Sequence, residues 1–298
     1  MENEQEPKTN KLAKFHDKNY KLLLLIPLVL LVFSLIYMPY FYSQNQDFIR
    51  KDISLTGGTS ITIQGNIDSK ELEDALSGEL EELSTREIYD LVTREKLAIV
   101  IETKSDGQQA EQVIENYLGY ELTSENSSFE FTGSTLSESF YKQLLIAILI
   151  AFLFMAIVVF MIFRTPVPSA AVIISAFADI LMTLVVVNLL GIKVSSAGII
   201  AFLMLIGYSV DTDILLTTRI LKRDEGSLNQ RIFGAFKTGT TMTLTSLFAV
   251  LFALIVVSSF SSVLTQILTI LSIGLGFDLL NTWITNVSIL KWYVNKKK

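Results

Sequence analysis

Four aspartates stand inside long apolar runs: Asp179, Asp211, Asp213 and Asp278. An ionised carboxylate near the centre of a bilayer costs on the order of 2.5–3.5 kcal/mol even on the lenient insertion scale. A chain that keeps such groups points to an ion path, a polar partner or a water-filled seam. Asp211 and Asp213 share the stretch AGIIAFLMLIGYSVDTDILLTTRI, residues 197–220, while Asp179 and Asp278 lie near the midpoints of their own runs. At about 1.5 Å per residue, all four fall within roughly 8 Å of the bilayer centre. Three helices thus present acids at similar depth, and the spacing predicts a shared polar layer.

Residues two apart on a helix point about 200° apart, so Asp211 and Asp213 do not face one seam. One faces the interior of the bundle; the other faces a neighbouring subunit or a water-filled cleft. Asp211 shares a face with Leu215 and Thr218, and Asp213 with Ser209 and Thr217. Asp278 shares a face with Asn281, and Thr285 follows one turn later. No Lys or Arg interrupts the middle of these runs, and Arg219 sits at the end of its run, where it can snorkel to the interface. A carboxyl with no cation beside it can take up a proton and release it, as a proton relay requires. The candidate relay residues are therefore Asp211, Asp213, Asp179, Asp278, Asn281 and Thr217. A second reading treats the acids as hydrogen-bonding glue between helices that meet at Gly207, Ser209, Gly274 and Gly276.

The elements that must position these groups are membrane helices. The chain has 298 residues, is 50% hydrophobic and has a mean hydropathy of +0.47. Six runs are long and apolar enough to span a bilayer: 20–42, 144–163, 169–190, 197–220, 241–257 and 264–290. The first is too long for a signal peptide and lacks a small-residue cleavage site, so it reads as a retained anchor. Between residues 43 and 142 lie twenty acidic and eight basic residues, whereas the other basic residues cluster beside span ends. By the positive-inside rule, residues 1–19 form a cytoplasmic basic tail, the C-terminal end is also cytoplasmic, and residues 43–142 lie outside the cell membrane. Residues 143–298 hold the other five spans and a cytoplasmic loop at 221–239, whose RIFGAFK segment reads as a piece lying along the membrane surface. There is no Cys, and the one His, His16, belongs to the basic tail. No metal cluster, nucleotide loop or nucleophile triad is present, so no cofactor, metal or enzymatic chemistry is expected.

The outer segment changes period. Residues 60–64 alternate like a strand, 68–83 have helical spacing with Asp68 as N-cap, 86–92 and 97–103 read as strands, 107–118 as a helix and 128–132 as a short strand. The order β-α-β-β-α-β is the split-βαβ, ferredoxin-like pattern. Thr56-Gly57-Gly58-Thr59 opens the first strand; without the lysine of a phosphate loop, it reads as a turn in which glycine supplies positive φ. The fold class is thus an α-helical polytopic membrane protein of six spans with an extracytoplasmic α+β domain between spans one and two.

Six spans with one large loop after the first, the TGGT opening of that loop, GYSVDTDILLTTR in the fourth span and the Thr-rich start of the fifth resemble the SecD/SecF branch of the resistance-nodulation-division superfamily. The single small outer domain and the short chain look like the SecF type, and VDTD looks archaeal. The bacterial SecF-type pattern has Asn-Asp-Thr where this chain has Asp211-Thr212-Asp213, so its acid falls on Thr212. Asp211 instead lines up with the acid of the SecD-type Val-Asp-Ala-Asn pattern, which makes Asp211 the first relay candidate and Asp213 the second. The resemblance implies an accessory of the Sec protein-export machinery, coupled to a proton or sodium gradient. Its partners would be SecD, a SecY-type channel, the translocating unfolded polypeptide and the lipid bilayer, with no nucleic acid. Two other functions remain open at this stage: half of a small-molecule or lipid exporter of the same superfamily, and a non-transporting scaffold of the export channel.

Overall fold

The computed structural model describes residues 20, 22–90, 93, 95–222, 226–258 and 261–297. The N-terminal tail expected at 1–19, with His16, lies outside them. Among the described residues, six helices are long and apolar enough to cross a membrane. The first is α1 (Leu25–Asn45), and after it comes the one-turn α2 (Ile53–Thr56). The segment between the first and second spans contributes β1 (Gly58–Gln64), α3 (Ser69–Leu76), β2 (Ser84–Tyr89), β3 (Lys96–Thr103), α4 (Gly107–Leu118) and β4 (Ser127–Thr132). The remaining spans are α5 (Ser134–Phe163), α6 (Pro166–Leu189), α7 (Ser196–Lys222), α8 (Leu228–Val257) and α9 (Ser262–Leu280), the last continued by a π-helical segment, Asn281–Asn286, and α10 (Val287–Lys297).

Local sequence sets the boundaries. Arg164 closes α5 in a left-handed conformation, φ 52°, and Pro166 opens α6 at a position where its missing N–H costs nothing. Ser227 and Gln230 form a reciprocal capping box at the start of α8. That cap corrects the expectation for 221–239. RIFGAFK does not lie on the membrane surface but forms the first turns of α8, with Ile232 and Ala235 buried against Leu216, Ile220, Trp283 and Leu290. The helix expected over 68–83 is also shorter than its periodicity suggests. It starts where Asp68 accepts the N–H groups of Lys70 and Glu71, and stops before Gly78, a poor helix former. Leu80 nevertheless stays in the same core.

The four strands form one antiparallel sheet in the order β2-β3-β1-β4, with Ile61 opposite Ile101 on one side and Phe129 on the other. Period-two alternation sends Ile61, Ile63, Ile99 and Ile101 to one face, where they pack on Leu72 and Leu76 of α3 and Ala110 and Ile114 of α4. Each such aliphatic side chain contributes roughly 1.5–3 kcal/mol by leaving water. The opposite face carries Ser60, Arg86, Glu102 and Glu130. These line a cleft of about 560 Å³ together with Asp52 and with Lys193, Ser195 and Gln266 of the helical bundle.

The segment before β1 is bonded onto the α6–α7 turn. Asp52 N–H donates to Val194 O at 3.0 Å and Val194 N–H to Arg50 O at 2.6 Å. Ser196 N–H reaches Ser54 Oγ at 3.1 Å, and Asn188 Nδ2 reaches Phe48 O at 2.9 Å. The TGGT turn follows, with φ of 83° at Gly57 and 147° at Gly58.

Asp52 and Glu102 approach closely enough to share a hydrogen bond, with Arg86 and Lys193 as the nearby cations. Burial, and secondly the Asp52 carboxylate, push Glu102 up to about 7, and burial also raises Asp52. An undocked Glu titrates near 4.5, so the docked state holds the extra proton between these values. The contact is therefore strongest at acid pH and weakens as pH rises through about 7. We expect the β3 amides and residues 50–56 to exchange faster at pH 8 than at pH 5.5, after correction for intrinsic rates. Glu102→Gln should remove that difference. Hydrogen exchange read by mass spectrometry checks it.

Candidate functional site

Three of the four intramembrane acids converge. Asp179 on α6, Asp213 on α7 and Asp278 on α9 are each fully buried. Asp179 accepts Ser209 Oγ at 2.5 Å and Asn281 Nδ2 at 2.7 Å. Asp213 Oδ1 accepts Thr282 Oγ1 at 2.8 Å and Asn286 Nδ2 at 2.7 Å. Thr282 Oγ1 also lies 3.1 Å from Asp278 Oδ1, and Thr243 Oγ1 of α8 lies 3.4 Å from Asp278 Oδ2. Four helices thus contribute to one polar layer.

The π-helical segment explains how α9 supplies so many of these groups. Asp278, Thr282 and Asn286 recur every four residues, a spacing that drifts by about 40° per step on an α-helix. The wider π turn absorbs the drift, so all three point into the cluster. Thr285 Oγ1 donates to Asn281 Oδ1 at 3.1 Å, which turns the Asn281 amide N–H toward Asp179.

Thr282 has one hydroxyl proton and two carboxyl oxygens within reach. It can donate to one only; the other contact is a hydrogen bond when the carboxyl itself supplies the proton. The arrangement can therefore hold one exchangeable proton between Asp213 and Asp278 through a single hydroxyl. Thr217, one turn beyond Asp213, is buried. Its Oγ1, Asp213 Oδ2 and Asn286 Oδ1 have no hydrogen-bond partner among the described residues. Among those residues, no group of three or more His, Cys, Asp or Glu side chains could hold a metal ion.

Asp211, the first candidate on the sequence pattern, is not part of the cluster. It is exposed on the outer side of α7, in line with Ile200, Met204 and Tyr208, and a Cβ on neighbouring Gly207 would meet nothing within 4 Å. The 200° separation of the pair has placed Asp213 inside and Asp211 outside. Arg219 is not free at the interface either: Nη1 donates to Gly234 O at 2.5 Å and Nη2 to Thr238 Oγ1 at 2.9 Å, tying the end of α7 to the start of α8. Gly274 packs against Leu205, whereas a Cβ added at Gly276, as at Gly207, would meet nothing within 4 Å. Thr56, Gly57, Gly58 and Thr59 lie far from the acids in the fold, at the root of the sheet, where Thr59 Oγ1 donates to Ser105 O at 2.9 Å. Sequence reasoning missed Thr282 and Asn286 as site residues. Their four-residue spacing from Asp278 was the available signal.

Comparison with known proteins agrees with this architecture. Residues 112–296 match the family described as protein export membrane protein SecD/SecF, C-terminal. The protein-export membrane protein SecF of Methanocaldococcus jannaschii is 42% identical, over 94% of this chain and 97% of its own length. The SecF of Methanothermobacter thermautotrophicus is 38% identical over 93% of each, and that of Pyrococcus furiosus 33% over 97% of this chain and 96% of its own. Among solved structures, the crystal structure of SecDF, a translocon-associated membrane protein from Thermus thermophilus, superposes with a TM-score of 0.72 at 18% identity. That match covers 93% of this chain and 38% of the longer one. The relatives and the six-helix polytopic fold agree: the chain belongs to the SecD/SecF family of protein-export membrane proteins.

Proposed function

We propose that the chain acts with a SecD-type partner to promote translocation of unfolded polypeptides through a SecY-type channel, drawing on a proton gradient through Asp213, Thr282 and Asp278. The observation that carries the coupling is the single Thr282 hydroxyl placed between two buried carboxyls. Asp179, with Asn281 and Ser209, extends the polar layer across α6. Thr217 offers a further hydroxyl one turn away. Asp211, on an outward and otherwise apolar strip of α7, supports a contact with the partner half in the membrane plane. The basic residues at the ends of α5, α7 and α10 support a cytoplasmic placement of both termini, which puts residues 43–142 on the outer side. There the sheet and its two helices, in β-α-β-β-α-β order, support a ferredoxin-like insert rooted by the TGGT turn.

Inverted membrane vesicles from the native host provide the test. Export of a secreted protein into vesicles containing the chain should slow several-fold when the proton gradient is collapsed. In vesicles lacking the chain, collapse should have no further effect. Equal gradient dependence with and without the chain would refute the coupling.

A further inference from the structure

The buried polar atoms around the acid layer are not evenly served. On the sheet side, one turn from Asp179, Thr183 Oγ1 donates to Asp179 O at 2.6 Å. One turn to the other side stand Ser175 on α6, Thr217 on α7 and Asn286 on the π segment, all fully buried. Each is four residues from a member of the acid layer: Ser175 from Asp179, Thr217 from Asp213, Asn286 from Thr282. Ser175 Oγ, Thr217 Oγ1, Asn286 Oδ1 and Asp213 Oδ2 have no hydrogen-bond partner among the described residues. Yet Asn286 holds Asp213 through Nδ2 at 2.7 Å, and Ser175 comes within electrostatic reach of the same carboxyl. Apolar clusters confine this strip. On α7, Asp213 and Thr217 lie between the Leu216–Ile220 stripe, which packs on α8 and α10, and the Val210–Ile214 stripe, which packs on α5 and α6. Toward the sheet, Phe202 and Leu205 close the seam against Ile270 and Leu271 of α9.

We propose that Ser175, Thr217 and Asn286 hold ordered water against Asp213 Oδ2, and that protons reach the relay along this water from the end of the bundle away from the sheet. The route rests on the reading of Asp213 as a proton-exchanging group. Buried oxygens left without partners are costly, and a buried water needs roughly two to four polar partners, which this set supplies. The donor set also suits both states of the carboxyl. The Ser175 and Thr217 hydroxyls rotate, so they donate to the water or accept from it, while Asn286 Oδ1 only accepts and fixes one water proton. A proton arriving along the water forms an O–H bond at Asp213 Oδ2 as the O–H bond on the water breaks, and the water is restored by the next proton behind it. Asp213 Oδ1 keeps Thr282 and Asn286 throughout, so loading need not disturb the relay contact. The three residues are positioning residues for that transfer, and the apolar seam on the sheet side makes the access one-sided.

The chain has no Cys, so one introduced thiol is the only one in it. Thr217→Cys, Ser175→Cys and the apolar control Leu216→Cys are made in the full-length protein, in native-host membrane vesicles of both orientations. Silver ions, close to water in size, are added from one face at a time in chloride-free buffer. Protection of the thiol from later alkylation is read by mass spectrometry. A thiol reacts as its thiolate, so hydrated positions should react about tenfold or more faster than Leu216→Cys. They should also react faster from the face where α10 ends than from the face bearing the sheet. Thr217→Cys reacting no faster than Leu216→Cys, or equally from both faces, overturns the proposal. Gradient-driven export should fall about fivefold in Thr217→Val and recover in Thr217→Ser. Full gradient-driven export in Thr217→Val combined with Ser175→Ala overturns the route. The labelling makes no use of export, so its failure is distinct from a failure of the gradient coupling.

Discussion

Export supported by an Asp213→Asn chain should fall by about tenfold or more, while the protein accumulates in the membrane at its normal level. Asparagine has nearly the shape of aspartate. Its amide oxygen can accept from Asn286 Nδ2 and Thr282 Oγ1, as Asp213 Oδ1 does at 2.7 and 2.8 Å. What it lacks is a titratable proton, so packing survives and proton exchange does not. Asp213→Ala should do something different. It strands the Thr282 hydroxyl and the Asn286 amide in the bundle interior, at about 1–3 kcal/mol for each unsatisfied group, and should lower the amount of folded protein. Asp211→Asn, on the exposed side of α7, should leave the bundle intact and affect export only through the partner contact. Translocation assays with immunoblotting of membrane fractions separate these outcomes. Full export in Asp213→Asn would remove Asp213 from any relay.

Gly58→Ala should be the most damaging single-methyl change in the sheet-bearing segment. Gly58 has φ 147°, and a Cβ there would stand 2.4 Å from the backbone oxygen of Thr103. Gly57, at φ 83°, would place its Cβ 2.5 Å from the backbone of Ser134. Both collisions are with main chain, which has no rotamer to move away. A strained backbone conformation costs roughly 1–3 kcal/mol, and overpacking adds about 1–3 more. Their sum, about 2–6 kcal/mol, is a large part of the roughly 5–15 kcal/mol that holds a typical domain together. The expected result is loss of hydrogen-exchange protection in β1 and β3 and rapid proteolysis of the sheet-bearing segment. Gly65→Ala is the control: it shares a positive φ of 124°, but its Cβ would meet nothing within 4 Å. It should cost only the backbone part.

Much of this was legible in the chain because it depends on local rules. The six spans follow from hydropathy, and the sheet order is what a β-α-β-β-α-β segment with two amphipathic helices commonly builds. The acid layer was visible as well, since three helices carry carboxyls at one depth. Which member of the Asp211/Asp213 pair turns inward was harder to read. The motif comparison favoured Asp211, whereas neighbours four residues away favoured Asp213: Ser209 and Thr217 flank it, against Gly207 and Leu215 for Asp211. The inward residue is the one with polar companions along its own stripe. The π segment had no local signature, because an extra residue per turn is stabilised by tertiary hydrogen bonds to Asp179 and Asp213. The start of α8 was hidden differently. Arg231 and Lys237 lower the hydropathy of its first turns, although the Ser227–Gln230 cap marks a helix start.

The bonds between residues 48–54 and the α6–α7 turn have a mechanical consequence. That turn joins the helices that carry Asp179 and Asp213, and four hydrogen bonds clamp it to the root of the sheet-bearing lobe. Each contributes about 0.5–1.5 kcal/mol, so swinging the lobe free of its footing would sacrifice several kcal/mol. A pull on the lobe is therefore delivered as torque to the joined ends of α6 and α7, and a tilt of either helix is felt in the lobe as a crank feels its shaft.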